Sequence, residues 1–357
     1  MYDIILSFIT AFLLVYLAIP SIINIAKVKN LYDEPDHRKS HDVVVPTLGG
    51  VAIFAGVIFS IILWTPFDVF GDLQYILCAF IIIFLIGAKD DILPMSPFRK
   101  MAGQIFACFI LVFKAQVKLT SMYGIFGIYA IPEIPSILLS MFTILVIINA
   151  FNLIDGINGL TGSLATLISI TLGTWFFLVD RVDLAIIAFS LAGATIAFLR
   201  YNITPARIFM GDTGSMLIGI ISAILVIEFI EVHTVIQGSP YAFKAVPAVA
   251  IGILILPLFD TLRVFVVRII KGKSPIHPDR SHIHHLLLDA GLSHMQATTV
   301  LLAVNLAFIF FVVYFQDVGS LNLLIMILVM ASVLTLIPTF ISRYKKRIAL
   351  QQEERQG

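Results

Sequence analysis

Glu133-Ile-Pro-Ser-Ile-Leu-Leu-Ser-Met-Phe-Thr-Ile-Leu-Val-Ile-Ile-Asn149-Ala-Phe-Asn152-Leu-Ile-Asp155-Gly-Ile-Asn158-Gly-Leu160 reads as two signals joined end to end. Residues 133–150 form an apolar run close to the ~20 residues that a helix needs to cross a bilayer. Directly after it, Asn152, Asp155 and Asn158 recur every three residues, so one helical turn presents them on one side. Polar side chains at the edge of an apolar span are expensive unless they bind or bond something. A helix cap and turn explain Asp155-Gly156, but not all three residues.

Similar apolar runs occur on both sides, near 3–26, 47–66, 71–88, 101–118, 160–179, 183–199, 212–232, 243–270, 296–316 and 320–342. Of the 357 residues 59% are hydrophobic and 13% charged, and the mean hydropathy is +1.02; a soluble domain carries roughly a quarter charged residues. A soluble enzyme, a disordered chain and a secreted disulfide scaffold are excluded, the two cysteines (Cys78 and Cys108) lying inside apolar runs. The expectation is an all-α integral membrane protein of about eleven spans, since barrel strands do not produce unbroken runs this long. The first run has no basic leader or small-residue cleavage site and reads as a span rather than a signal peptide. The ninth run is over-long and holds Pro257, Asp260 and Arg263, which predicts a kink or break. Residues 1–342 read as one transmembrane domain and 343–357 as a basic, polar tail.

The net charge of +1 says little, but its distribution orients the chain. With the N-terminus outside and the C-terminus cytoplasmic, only Lys114, Lys118, Arg181 and Lys244 of the 23 Lys and Arg residues fall outside. The chemistry follows the same partition, with every histidine except His233 on the cytoplasmic side. The expected active site therefore lies on the cytoplasmic loops, where five motifs collect.

Leu31-Tyr-Asp-Glu-Pro-Asp-His-Arg-Lys39-Ser-His41 leads to Pro46-Thr-Leu-Gly-Gly50: either a basic anchor and turn, or phosphate contacts beside a backbone that a ligand can approach closely. Gly87-Ala-Lys-Asp90-Asp91 and Arg99-Lys100 offer either a solvated helix end or an acid pair suited to metal or proton transfer. The Asn152–Asn158 run is the third. Arg207-Ile-Phe209-Met-Gly-Asp212-Thr-Gly-Ser215 places a hard oxygen ligand at a helix start, where Asp212 either caps the helix or helps hold Mg2+ on a diphosphate. Pro275-Ile-His-Pro-Asp-Arg280-Ser-His282-Ile-His284-His285 is either a solvated loop or a phosphate clamp; the His-Glu-x-x-His spacing of a catalytic zinc is missing.

In this order and on one face, the motifs resemble those of the polyprenyl-phosphate N-acetylhexosamine-1-phosphate transferase superfamily, glycosyltransferase family 4, and most of all its undecaprenyl-phosphate N-acetylglucosaminyl-1-phosphate branch. The likeness runs from about residue 31 to 291. It implies a bacterial, multi-pass inner-membrane enzyme in which polyprenyl phosphate attacks the β-phosphorus of a UDP-N-acetylhexosamine. UMP leaves, and the polyprenyl-diphosphate sugar begins an envelope glycan such as O-antigen or teichoic acid. The resemblance also implies Mg2+, with Mn2+ as a substitute, and is compatible with a homodimer; nothing points to nucleic acid.

By motif, the resemblance assigns Asp90 and Asp91 to the lipid phosphate, one of them as its base. Lys100 matches a residue reaching the diphosphate, alongside Lys39 as a phosphate contact. Asn152 and Asp212 match metal ligands, Phe209 the ring that stacks on uracil, Asn158 its hydrogen-bonding partner, and Asp155 a polar pocket residue. Arg280, His282, His284 and His285 match a loop that closes over diphosphate and sugar. Many bacterial members carry Asp where this chain has Asn158, so a catalytic carboxylate is not expected there. The alternative within the class is transfer of phospho-N-acetylmuramoyl-pentapeptide, whose branch shows a triple-His run. A transporter is the alternative outside it, disfavoured because no internal repeat is evident and the ionisable groups crowd one face rather than the midplane.

Overall fold

The computed structural model describes residues 1–29, 45–67, 71, 73–272 and 281–356, with side chains beyond 342 described only at 344 and 345. It is mostly helical. In chain order the helices are α1 (Tyr2–Lys29), α2 (Gly49–Trp64), α3 (Leu73–Ile92), α4 (Pro97–Phe113), α5 (Glu133–Ile154), α6 (Leu160–Leu178), α7 (Val182–Asn202) and α8 (Gly211–Val232). Then come α9 (Val246–Ile253), α10 (Ile255–Ile270), α11 (Ile283–Asp289), α12 (His294–Tyr314) and α13 (Ser320–Gln356). Among the described residues seven helices are long and apolar enough to cross a membrane, or eight if α9 and α10 make one span. The other expected runs are helical too, but α2 and α4 have only 16 and 17 residues.

Two expectations need correction. The fourth run was expected to be helical to residue 118, but α4 stops at Phe113 and Lys114 caps it, so both lysines lie beyond the helix. The chain is also not wholly α. Strands β1 (Ser121–Ile125) and β2 (Ile128–Ala130) pair antiparallel, with Ser121 opposite Ala130 and Ile125 opposite Ile128. Gly124 and Gly127 take positive φ in and after β1, which a helix does not accommodate.

Helix α8 is the hub: 89% of its most apolar window is buried inside the protein, against 28% for α1 and 22% for α13. It packs against α5 and α3, while α7 lies between α1 and α6. Glycine lets α2 and α3 reach the start of α8. A Cβ at Gly50 would lie 2.2 Å from the Gly214 nitrogen, and one at Gly87 would lie 2.4 Å from the Thr213 Cα. Both would force the α8 start away from its neighbours.

The ninth run breaks as expected, with α9 and α10 meeting at 84°. Pro257 has no N–H to donate to the Ile253 carbonyl, one helical turn back. Asn305 of α12 compensates: its amide donates to Ile253 O at 3.1 Å and its oxygen accepts from Leu256 N at 3.3 Å. A buried amide from a neighbouring helix thus satisfies the backbone that the break exposes.

Candidate active site

The start of α8 gathers the acids. Its first amides have no partner inside the helix and carry the positive end of the helix dipole. Asp91, at the end of α3, supplies the acceptors: Oδ1 takes Asp212 N at 2.7 Å, and Oδ2 takes Thr213 N at 3.0 Å and Thr213 Oγ1 at 2.5 Å. Asp91 is therefore an N-cap delivered from another helix. Its neighbour is placed otherwise: Asp90 Oδ1 accepts from Met95 N at 2.5 Å, while Oδ2 lies 3.3 Å from Lys100 Nζ.

Lys100 sits on the first turn of α4, and its ammonium is shared among three oxygens. It meets Asp90 Oδ2, Asn152 Oδ1 at 3.4 Å and, in a very short contact, Asp212 Oδ2. Asn152 donates in turn to Asp212 Oδ1 at 2.7 Å and to Ser215 Oγ at 3.0 Å. Three helix ends thus aim hard oxygen donors at one point, which a cation already takes. Asp155, at the C-cap of α5, faces Asp212 and Asp91; burial, reinforced by those charges, pushes its carboxyl up to about 7.

A second corner carries Asn158 and Phe209. Asn158 is buried, donates to Thr204 Oγ1 at 3.0 Å, and its carbonyl accepts from Thr298 Oγ1 at 2.8 Å. Its side-chain oxygen meets no donor among the described residues. Asn202, ending α7, ties this corner to Phe209: it accepts from Gly159 N at 2.7 Å and donates to Ile208 O at 2.9 Å. Phe209 is half-buried and braced by backbone bonds to Pro46 O (2.7 Å) and from Gly49 N (2.9 Å).

The histidine segment closes the third side. His282 and His284 are buried and His285 is half-buried. His284 lies against Gly156, where an added Cβ would come within 2.3 Å of its Nε2. Burial, helped by the neighbouring His285, holds its pKa down near 3. His284 is therefore a neutral wedge beside the acid cluster at physiological pH rather than a positive clamp.

A Glycosyl transferase family 4 profile matches residues 73–230, the stretch from α3 to the end of α8. The undecaprenyl-phosphate alpha-N-acetylglucosaminyl 1-phosphate transferase of Pasteurella multocida is 34% identical over 82% of this chain and 81% of its own length. The probable undecaprenyl-phosphate N-acetylglucosaminyl 1-phosphate transferase of Bacillus subtilis is 30% identical over 86% and 84%. The Escherichia coli K12 protein named like the first is 29% identical over 76% and 73%. The chain belongs to glycosyl transferase family 4.

Within this family member, the structure brings Asp90, Asp91, Lys100, Asn152, Asp155 and Asp212 into one cluster, and Asn158 and Phe209 into one corner. Lys39 and Arg280 lie outside the described residues. Sequence reasoning overlooked Thr213, Ser215 and Asn202, small polar residues whose types are common in any loop. It also passed over Asp260, which was read only as part of a kink, although an ionisable residue in an apolar span is itself a signal.

Proposed function

We propose that this protein transfers N-acetylglucosamine-1-phosphate from UDP-GlcNAc to undecaprenyl phosphate, giving undecaprenyl-diphosphate-GlcNAc and UMP. The observation that carries the reading is the convergence of Asp90, Asn152 and Asp212 oxygens on the Lys100 ammonium. Phosphoryl transfer asks a site for charge neutralisation more than for covalent machinery, and Lys100 beside hard oxygen donors supplies the groups for it. The names of the relatives supply the lipid and the sugar.

An acceptor phosphate oxygen forms the new bond to the β-phosphorus, and the bond from that phosphorus to the bridging oxygen breaks as UMP leaves. With a second pKa near 6, the lipid phosphate is mostly dianionic near pH 7, so the main demand on the protein is positive charge. Lys100 supplies it, shifting from the carboxylates to the diphosphate. Asp90 takes any remaining proton, since both oxygens of Asp91 are committed to the α8 start. Phe209 stacks on uracil, and the Asn158 side-chain oxygen accepts from it.

Asn152 and Asp212 are the residues to hold Mg2+, and their chemistry fits. Among the described residues no group of three or more His, Cys, Asp or Glu side chains forms a metal cage, and Mg2+ bound with substrate phosphates uses only one or two carboxylates. When bound, the ion neutralises charge on the diphosphate oxygens.

The bilayer arrangement supports the same reading. In this reading the chain runs with its N-terminus outside and its C-terminus cytoplasmic, as the excess of Lys and Arg on one side favours, and the cluster works at the inner face of the bacterial plasma membrane. Beyond the break, α10 exposes Leu262, Phe265, Val266, Ile269 and Ile270, an apolar flank along which a polyprenyl chain enters from the lipid.

The test uses purified protein in detergent with Mg2+ and undecaprenyl phosphate. UMP release is followed from UDP-GlcNAc, UDP-GalNAc and UDP-MurNAc-pentapeptide. Turnover with UDP-GlcNAc that EDTA abolishes is the expected result; silence with it from folded protein overturns the reading.

A further inference from the structure

Asp260 sits inside the apolar helix α10 and is 2% exposed. A carboxylate there is expensive unless donors surround it, and the donors come from its own helix and from the start of the histidine segment. Oδ1 accepts from Ile283 N at 2.9 Å and from Arg263 at 3.0 Å, and Oδ2 lies 2.9 Å from His282 Nδ1. Arg263 also donates to the Ser281 carbonyl. One helical turn of α10 thus holds a carbonyl, a ring and an amide of three consecutive residues, 281–283, at the start of the histidine segment. At its far end, Lys345 of α13 donates to Ala290 O at 2.6 Å.

The held ring has a defined state. A carboxylate at Nδ1 requires that nitrogen to donate, which turns Nε2 away from Asp260. The His282 ring lies parallel to His284 (centroids 5.8 Å apart, planes 9° apart), and His284 packs on Gly156 beside Asp155. Asp260 therefore connects to the acid cluster through two stacked rings.

We propose that Asp260 is a positioning residue for the transfer: it fixes the tautomer of His282 and anchors residues 281–283, so that the histidine segment is pre-set against the acid cluster. This rests on the transferase reading above. Asp260 itself touches no reacting atom in that reading.

Asp260→Asn preserves the shape and one acceptor for Ile283 N. It turns an NH2 toward His282 Nδ1, which forces the other tautomer. The expected result is a kcat reduced on the order of 10- to 100-fold, the usual effect of losing a group that orients a ligand. KM for UDP-GlcNAc should stay within about threefold, because ground-state binding is untouched. His282→Gln should show a similar loss, and the double variant should be no worse than His282→Gln alone, since both remove one interaction.

Backbone amide exchange gives a readout that needs no turnover. Asp260→Ala should deprotect residues 283–286, and Asp260→Asn should leave them protected. A kcat for Asp260→Asn within about twofold of wild type, losses that multiply in the double variant, or unchanged protection in Asp260→Ala would each overturn the proposal. If the wild type fails to use UDP-GlcNAc, the transferase reading falls, while the exchange result still decides whether Asp260 anchors the segment.

Discussion

The two ends of α8 handle charge in opposite ways. At the Glu231 end, the acids of α7 and α8 meet donors rather than one another. Glu231 accepts from Thr120 N at 2.8 Å and Thr120 Oγ1 at 2.6 Å, Glu228 lies 3.7 Å from Arg181, and Arg181 also grips Asp183 with two nitrogens. Tyr123 adds a bond from its hydroxyl to Ile230 O at 2.6 Å, stitching the hairpin to the helix. At the Asp212 end the carboxylates face one another: Asp90, Asp91 and Asp155 all lie near Asp212, and Lys100 is the cation that Asp90 and Asp212 share. Acids matched to donors close a structure. Acids crowded around a single lysine hold negative charge that a further cation can satisfy.

The largest break in this contrast should come from Asp212→Asn. The amide preserves shape but removes the charge that holds Lys100 and that the proposed Mg2+ would need. We expect turnover to fall on the order of 1,000-fold or more, typical of a group that stabilises transition-state charge, with insertion and folding intact. UMP release and size-exclusion behaviour measured on the same preparation check it, and wild-type turnover would remove the metal assignment. Phe209→Ala should be milder. Losing one stacking platform of about 1–3 kcal/mol should weaken UDP-GlcNAc and UMP together, roughly 5- to 150-fold, with little change in KM for the lipid. Titration with UMP reads this directly, and an unchanged affinity would exclude stacking at that position.

The sequence made the spans legible because lipid demands long apolar runs, and the break in the ninth run because Pro257 cannot donate to Ile253. It could not show that Asn305, 48 positions from Pro257 in the chain, would satisfy the exposed carbonyl. The acid cluster was legible because carboxylates beside spans are costly and therefore conspicuous. The division of labour within Asp90-Asp91 was not, since adjacent residues of one type differ only in what other helices bring to them. Asp91 became a cap because Gly87 and Gly50 allow the start of α8 to come close. The β1–β2 hairpin was missed because five and three residues are too few to show an alternating pattern.

The two smallest predictions concern stability and separate the ends of α8 again. With its carboxyl pushed up to about 7, Asp155 holds its proton in the folded protein well above the ordinary value of 3.8. Between those values the folded state binds more protons than the unfolded state, so stability falls as pH rises through that window. Asp155→Asn removes the titration. Melting in detergent should show wild type losing ground to the variant from about pH 4 to pH 7, and parallel curves would mean that the carboxyl is not raised.

Glu231→Ala removes two hydrogen bonds that hold the hairpin, a loss of about 1–3 kcal/mol, and should lower the melting temperature by a few degrees. Turnover should stay within about twofold, because a site one helix length away shares none of its partners. The Glu231 carboxylate fastens the residue before β1 to α8, so a tenfold loss of activity with an unchanged melting temperature would mean that the two ends are coupled through α8 and that the division drawn between them is wrong.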